Sequence, residues 1–257
     1  MAKKNFVNLA GSLLMAGLLS ATLVAQPVAA TRYDNQIQAA VTEKLAAKGK
    51  FSNLQSNVED GIVTLTGTVD LYQRKLDAAK LVKKTAKVQG VRNLVEVTGP
   101  NVTDAQLENE LAKKLRYVRE GYDITFDYFA LNVQDGVVTV VGEDRTGVGK
   151  DEALADIANT PGVKDVIDNV SIEPVSTFDD GLRLRTARAI YRDSVLSKYA
   201  IDPARPIRII VDNGHITLYG SVDNTMDKNV AGIRANQIFG AFSVQNNLVV
   251  ENSSKKS

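Results

Sequence analysis

Asp60-Gly61-Ile62-Val63-Thr64-Leu65-Thr66-Gly67 returns as Asp135-Gly136-Val137-Val138-Thr139-Val140-Val141-Gly142 and again as Asn213-Gly214-His215-Ile216-Thr217-Leu218-Tyr219-Gly220. The final glycines stand 75 and then 78 residues apart. Asp-Gly or Asn-Gly between alternating apolar residues marks a tight hairpin, because both central residues of a type I′ turn need positive φ. Three evenly spaced hairpins make the chain a repeat protein.

Period-two alternation sets the faces of each hairpin. Before the turns it selects Leu54/Ser56/Val58, Phe129/Leu131/Val133 and Ile207/Ile209/Val211; after them, Val63/Leu65/Gly67, Val138/Val140/Gly142 and Ile216/Leu218/Gly220. The opposite faces are more polar, so one covered face per sheet is expected. Ahead of each hairpin, steps of three and four residues predict an amphipathic helix with an Asp as its N-cap. The three patterns are Asp34 with Ile37, Val41 and Leu45; Asp104 with Leu107, Leu111 and Leu115; and Asp180 with Leu184, Ala187 and Tyr191.

Behind each hairpin a second helix is expected, clearest where Asp70 and Gln73 suit a capping box and Leu76, Ala79, Val82 and Ala86 line one face. Gly90-Val91, Gly162-Val163 and Gly240-Ala241 mark its end and lead into a last strand such as Val244 to Val250. The expected fold class is therefore α+β: three tandem small modules, each helix-strand-strand-helix-strand, with two helices packed on one face of a three-stranded sheet. The boundaries are residues 31–99, 102–174 and 178–252, with a disordered tail over 253–257. Modules of about 70 residues are marginal alone, so contacts between them are expected to add stability.

Residues 1–30 carry the marks of a cleaved signal peptide: Lys3 and Lys4, an apolar stretch from Phe6 to Val24, and small residues that place the cut after Ala30. The expected location is the periplasm, and the processed chain should not span a membrane. Cysteine is absent, which excludes a disulfide framework and a lipid-modified cysteine. With 44% hydrophobic and 24% charged residues, the composition is that of a globular protein. Residues 31–100, 101–175 and 176–257 carry net charges of +4, −8 and +3. A near-neutral sum argues against nucleic acid as a partner, and the uneven split points to divided labour.

These residues resemble the BON domain family. Its pattern is a capped amphipathic helix, a D-G-x-V-x-L-x-G hairpin, a second helix and a closing G-V-x-x-V segment, and all three copies match from Thr31 to Asn252. The resemblance implies a non-enzymatic envelope protein that associates with anionic phospholipid or a membrane surface and supports the envelope under osmotic stress. A chaperone or scaffold acting on envelope proteins is the alternative it implies. The resemblance brings no catalytic or cofactor-binding residue. Three departures stand out. Asp144 replaces Val69 and Val222, Arg183 falls where Ile37 and Leu107 face the core, and Gly90-Val91-Arg92-Asn93-Leu94 reaches Pro100 early enough to suggest a gap in the alignment.

The residues themselves offer little chemistry. A lone histidine, His215, removes histidine-rich metal sites and most acid–base schemes. Gly147-Val148-Gly149-Lys150-Asp151 fails as a phosphate loop, with Asp144 in place of its first glycine and Asp151 in place of Ser or Thr. The pairs Glu108/Glu110 and Asp151/Glu152 suit solvated helix faces. No catalytic, cofactor or metal site is expected. The sharpest binding candidate is Arg185, Arg188 and Arg192, which fall within a stripe about 60° wide on one helix and suit lipid phosphate. The competing expectation is that this face pairs with the acidic second module. Two aromatic groups, Tyr117/Tyr122/Phe126/Tyr128/Phe129 and Phe239/Phe242, are expected to fill cores, the alternative being that aromatic residues beside basic ones sit at a membrane interface.

Overall fold

The computed structural model describes residues 28–115, 125–201 and 206–251. The first module runs α1 (Val28–Ala46), β1 (Leu54–Glu59), β2 (Ile62–Val69), α2 (Tyr72–Lys83), β3 (Gly90–Asn93) and β4 (Glu96–Val97). The second runs α3 (Asp104–Leu115), β5 (Tyr128–Gln134), β6 (Val137–Asp144), α4 (Val148–Ala158) and β7 (Asp165–Ile172). The third runs α5 (Thr177–Tyr191), β8 (Arg208–Asp212), β9 (His215–Tyr219), β10 (Ser221–Val222), α6 (Thr225–Asn236), β11 (Ser243–Asn246) and β12 (Val249–Val250). Each module has the expected helix-strand-strand-helix-strand order. The strand after the turn is central, antiparallel to its hairpin partner and parallel to the closing strand. Most of the predicted signal peptide and the whole of the tail lie outside the described residues; Val28 to Ala30 fall in the first turn of α1.

The turns explain the repeated motif. Asp60, Asp135 and Asn213 have φ of 52°, 53° and 48°, and the glycines after them 75°, 79° and 81°. The aspartates expected as N-caps do something else. Asp34 accepts from the turn amides of Asp60 and Gly61 at 3.0 and 2.9 Å, and Asp104 from those of Asp135 and Gly136 at 2.8 and 2.9 Å. In the third module it is Asp179, not Asp180, that accepts from Gly214 N at 2.8 Å. The first helix thus clamps its own hairpin. Hydrogen bonds to a charged acceptor each contribute about 1.5–3 kcal/mol. Asp104→Ala is accordingly expected to destabilise the second module by about 2 kcal/mol and to speed hydrogen exchange at the Asp135 and Gly136 amides; unchanged protection there would refute the clamp.

Counting from the clamping aspartate restores one register for all three helices. Ile37, Val41 and Leu45 match Leu107, Leu111 and Leu115, and these match Leu182, Thr186 and Ile190, all buried. The face expected from Asp180 is one residue out of register: Leu184 is exposed and Tyr191 only partly buried. Arg183 does not take the place of Ile37, yet it is buried. Its guanidinium meets Glu173, Asp180 Oδ1 and the Val211 carbonyl.

The second helices also differ from expectation. Asp70 caps nothing and pairs with Arg74 at 2.8 Å, while α2 buries Ala78 and Val82 and leaves Leu76 exposed. In the second module Asp144 is fully buried and caps the start of α4, accepting from Thr146 N and Lys150 N at 3.2 and 2.7 Å. The closing glycines are not equivalent. Gly162 and Gly240, at φ 98° and 92°, share their position with Lys87 at φ 69°, while Gly90 aligns with Asp165 and Ser243. No gap is needed. Asn93 and Asn246 donate to the Lys75 and Lys228 carbonyls, each at the break between two short strands. Asp168 holds that place in the second module and pairs with the Lys150 side chain, leaving β7 unbroken.

The modules lean on one another. Tyr72 of α2 packs against the second core, and burial followed by a hydrogen bond to Asp165 pushes its hydroxyl up to about 12. The joint between the second and third modules goes deeper. Phe126 belongs to the third module's core, not its own. Thr125 accepts from Ile209 N at 2.6 Å, Asp127 accepts from Arg208 Nη1 at 2.7 Å, and the Tyr128 and Tyr219 rings stack at 3.9 Å. Burying one phenylalanine contributes about 1.5–3 kcal/mol. Ile209 and Ile210 are both buried, so the single covered face expected of each sheet does not hold for the third module.

Candidate functional site

The arginine stripe on α5 follows from the corrected register. With Asp179, Leu182, Thr186 and Ile190 turned inward at steps of three and four, Arg185, Arg188 and Arg192 stand on the outside. All three are exposed, and among the described residues none of their side chains makes a hydrogen bond or ion pair. The expected pairing of this face with the acidic second module does not occur through them. Arg145 reaches Asp180 at 3.1 Å and Arg183 meets Glu173 instead. Burial pushes the Asp180 carboxyl up, but the guanidinium groups of Arg145 and Arg183 hold it below its ordinary range.

Phe178 continues the stripe toward the N-terminal end of α5. Seven residues ahead of Arg185, it lies only about 20° away around the helix. Gly181 leaves room for the Arg185 guanidinium: a β-carbon there would sit 3.1 Å from Arg185 Nη1. At Gly240 a β-carbon would lie 3.8 Å from both Arg185 Nη2 and the Phe178 ring. The turn that carries Phe239 and Phe242 therefore abuts the start of the stripe. The Phe178 and Phe242 rings are 6.0 Å apart, and the His215 ring meets the edge of Phe242 at 5.9 Å. His215 Nδ1 is 2.7 Å from Ser243 Oγ, as suits an ordinary exposed strand residue.

The aromatic expectations divide. Tyr117 and Tyr122 lie outside the described residues, and Phe126 is buried as expected, though in the neighbouring module. Phe239 and Phe242 contradict the core expectation: they are 92% and 71% exposed, with Phe178 at 47%. Phe242 and Phe178 lie against the hairpin glycine Gly214 and border a shallow, open hollow with Ser176, Asp179 and Asn213. A residue-by-residue alignment of the three modules would have revealed the difference. Phe239 stands where the other copies have Ala86 and Pro161, Phe242 where they have Gln89 and Lys164, and Phe178 where they have Tyr33 and Thr103.

The start of α4 cannot hold a phosphate as arranged, because carboxylates already occupy it. Besides the Asp144 cap, Asp127 Oδ1 accepts from Arg145 N at 3.1 Å. Among the described residues no group of three or more His, Cys, Asp or Glu side chains could hold a metal ion, and no helix is long and apolar enough to cross a membrane.

Three repeats with one clamped-hairpin topology find their counterpart in a single family model, the BON domain, which matches residues 33–99, 103–174 and 189–252. The chain belongs to the BON domain family. The third BON match begins inside α5, yet residues 177–188 hold the same structural place as their counterparts in α1 and α3, down to the clamp at Asp179. A curated relative, an uncharacterized protein in the gshII 5′ region of Anaplasma centrale, is 26% identical over 144 residues, covering 54% of this BON chain and 95% of that protein. Among solved structures, CdsD, a structural protein of the type III secretion system of Chlamydia trachomatis, is 17% identical; 86% of this chain and 92% of that one are covered at a TM-score of 0.23. The periplasmic domain of the type III secretion inner-membrane protein PrgH from S. typhimurium is 13% identical, with 82% and 100% covered and a TM-score of 0.19. Neither bears on how the three BON modules are arranged.

Proposed function

We propose that this protein is a non-enzymatic periplasmic component of the cell envelope that associates reversibly with anionic phospholipid and supports the envelope under osmotic stress. Membership of the BON domain family supports the lipid reading, and one observation carries it to a place on the chain. Arg185, Arg188 and Arg192 form an exposed stripe with no carboxylate partner among the described residues. Guanidinium groups suit bidentate contacts with phosphate. A solvated ion pair to a headgroup needs no protein pocket, and none is required here.

Each basic residue near an anionic surface contributes about 1 kcal/mol. Three give about 3 kcal/mol, short of the ~4 kcal/mol of even a millimolar complex. Binding through the stripe is thus weak and salt-sensitive. In sedimentation with anionic vesicles at low salt, the chain is expected to pellet, and the Arg185→Ala/Arg188→Ala/Arg192→Ala variant to bind at least tenfold more weakly. Zwitterionic vesicles or high salt should release the wild type. Binding that ignores the triple substitution would overturn the assignment. Suppression of a model protein's aggregation without any vesicle binding would favour the chaperone alternative.

A further inference from the structure

The charge stripe alone leaves the association too weak, and the same end of the third module offers what is missing. Phe178, Phe239 and Phe242 gather at the tip formed by the start of α5, the Asn213-Gly214 turn and the loop between α6 and β11. We propose that this tip is an aromatic wedge that inserts into the interfacial layer of an anionic bilayer while the arginine stripe lies along the headgroups. The proposal rests on the lipid reading given above and adds the insertion site to it.

Four observations converge on the wedge. Phe239 is 92% exposed, far beyond what a core or a packed loop leaves uncovered. Three aromatic rings occur together at these positions only in the third copy: the equivalent positions in the first and second modules carry Ala86 and Pro161, Gln89 and Lys164, and Tyr33 and Thr103. The clamped turn and the left-handed glycine beneath it are kept in that copy, so the scaffold is preserved while its tip is altered. Lastly, the Phe178 ring and the Arg185 guanidinium meet at the turn glycine, Gly240, whose β-carbon would lie 3.8 Å from each.

The charge beside the tip chooses the occupant. An unpaired arginine at the edge of an apolar tip complements an anionic, fluid surface, which can accept a projecting ring without a shaped pocket. Aromatic rings favour the depth at which headgroups meet acyl chains. Phe178 and Phe242 border a shallow, open hollow with Ser176, Asp179 and Asn213, while Phe239 stands outside it and projects freely, as a ring that enters a fluid layer does.

The chain contains no tryptophan, so a single introduced one reports without background. Full-length Phe239→Trp and Phe242→Trp variants should show blue-shifted emission on addition of anionic vesicles. Nitroxide groups placed shallowly on the acyl chains should quench them. Gln89→Trp, at the place in the first module equivalent to Phe242, should do neither. Phe239→Ser removes a side chain that folding does not need and is expected to weaken binding to anionic vesicles at low salt about tenfold. Bound chain with unshifted Phe239→Trp emission overturns the wedge while leaving the arginine reading intact. Failure of the wild type to bind vesicles at all overturns both. A blue shift without lipid that grows with protein concentration assigns the tip to a second copy of the chain and also overturns the proposal.

Discussion

Gly142→Ala is expected to destabilise the second module by at least about 3 kcal/mol, enough to unfold a marginal domain. A β-carbon at this position would lie 1.9 Å from the Tyr128 carbonyl oxygen and 2.9 Å from its carbon. No rotamer relieves the clash, because both partners are backbone. Gly142 sits opposite Phe129 in the antiparallel ladder, so the hairpin must open or slip, and a one-residue slip would turn Val138 and Val140 out of the core. The same glycine ends the other two motifs. At Gly67 a β-carbon would meet Asn53 O at 2.1 Å and at Gly220 Pro206 O at 2.7 Å, with φ of 108° and 118° adding strain. Gly49→Ala is the control: nothing lies within 4 Å of its β-carbon, and the loss of unfolded-state freedom makes that change neutral or slightly stabilising. Denaturant unfolding of the two variants should separate them clearly; equal midpoints would show that the hairpin tolerates the crowding.

Acidification from about pH 7.5 to about pH 5.5 is expected to stabilise the joint between the second and third modules by about 2 kcal/mol through Glu173. Burial pushes the Glu173 carboxyl from 4.5 up to about 7; Arg183 pulls it down, and the Glu143 and Asp127 charges push it up again. Because the folded chain holds this proton more tightly than the unfolded one, the contribution is complete below the unfolded value and is lost as pH rises through the folded one. Glu143, raised by burial and by Asp212, acts in the same direction. Asp77, Asp168, Asp180 and Asp227 are all held below 3.8, so their contributions are intact at both ends of this window. Glu173→Gln keeps an acceptor for Arg183 and removes the titration. Thermal melts of that variant should show higher stability at neutral pH and a much shallower gain on acidification; retention of the wild-type gain would place its origin elsewhere.

What could be read from the sequence was whatever local geometry imposes on residue type. The hairpins were legible because positive φ at two successive residues restricts the chemistry to Asp-Gly or Asn-Gly. The first and second modules' helices were legible because their leucines, isoleucine and valine repeat on one face. The third helix misled because Asp179 and Asp180 both precede an apolar set, and only the bond from Asp179 to Gly214, 35 residues away, shows which one fixes the register. Lys87 hid the alignment of the closing turns by adopting a left-handed conformation that glycine takes in the other copies. At the candidate site the arginine stripe was visible as a helical pattern. The aromatic tip was legible only in part: Phe239 and Phe242 stand out as a pair suited to a core or a membrane interface, but Phe178, far from them in sequence, is brought beside them only by the fold.

The lodging of Phe126 in the third module gives the polypeptide a direction. The ring and the Thr125 carbonyl that reaches Ile209 belong to residues synthesised well before the strand they complete. A chain emerging from its N-terminus forms domains in that order, so the plug is already on a folded scaffold when its socket is made. Were the order of the repeats reversed, the third would have to wait with part of its interior open to water. The linear succession of copies is therefore itself a folding instruction, and shuffling or excising them would discard it even if every residue were kept.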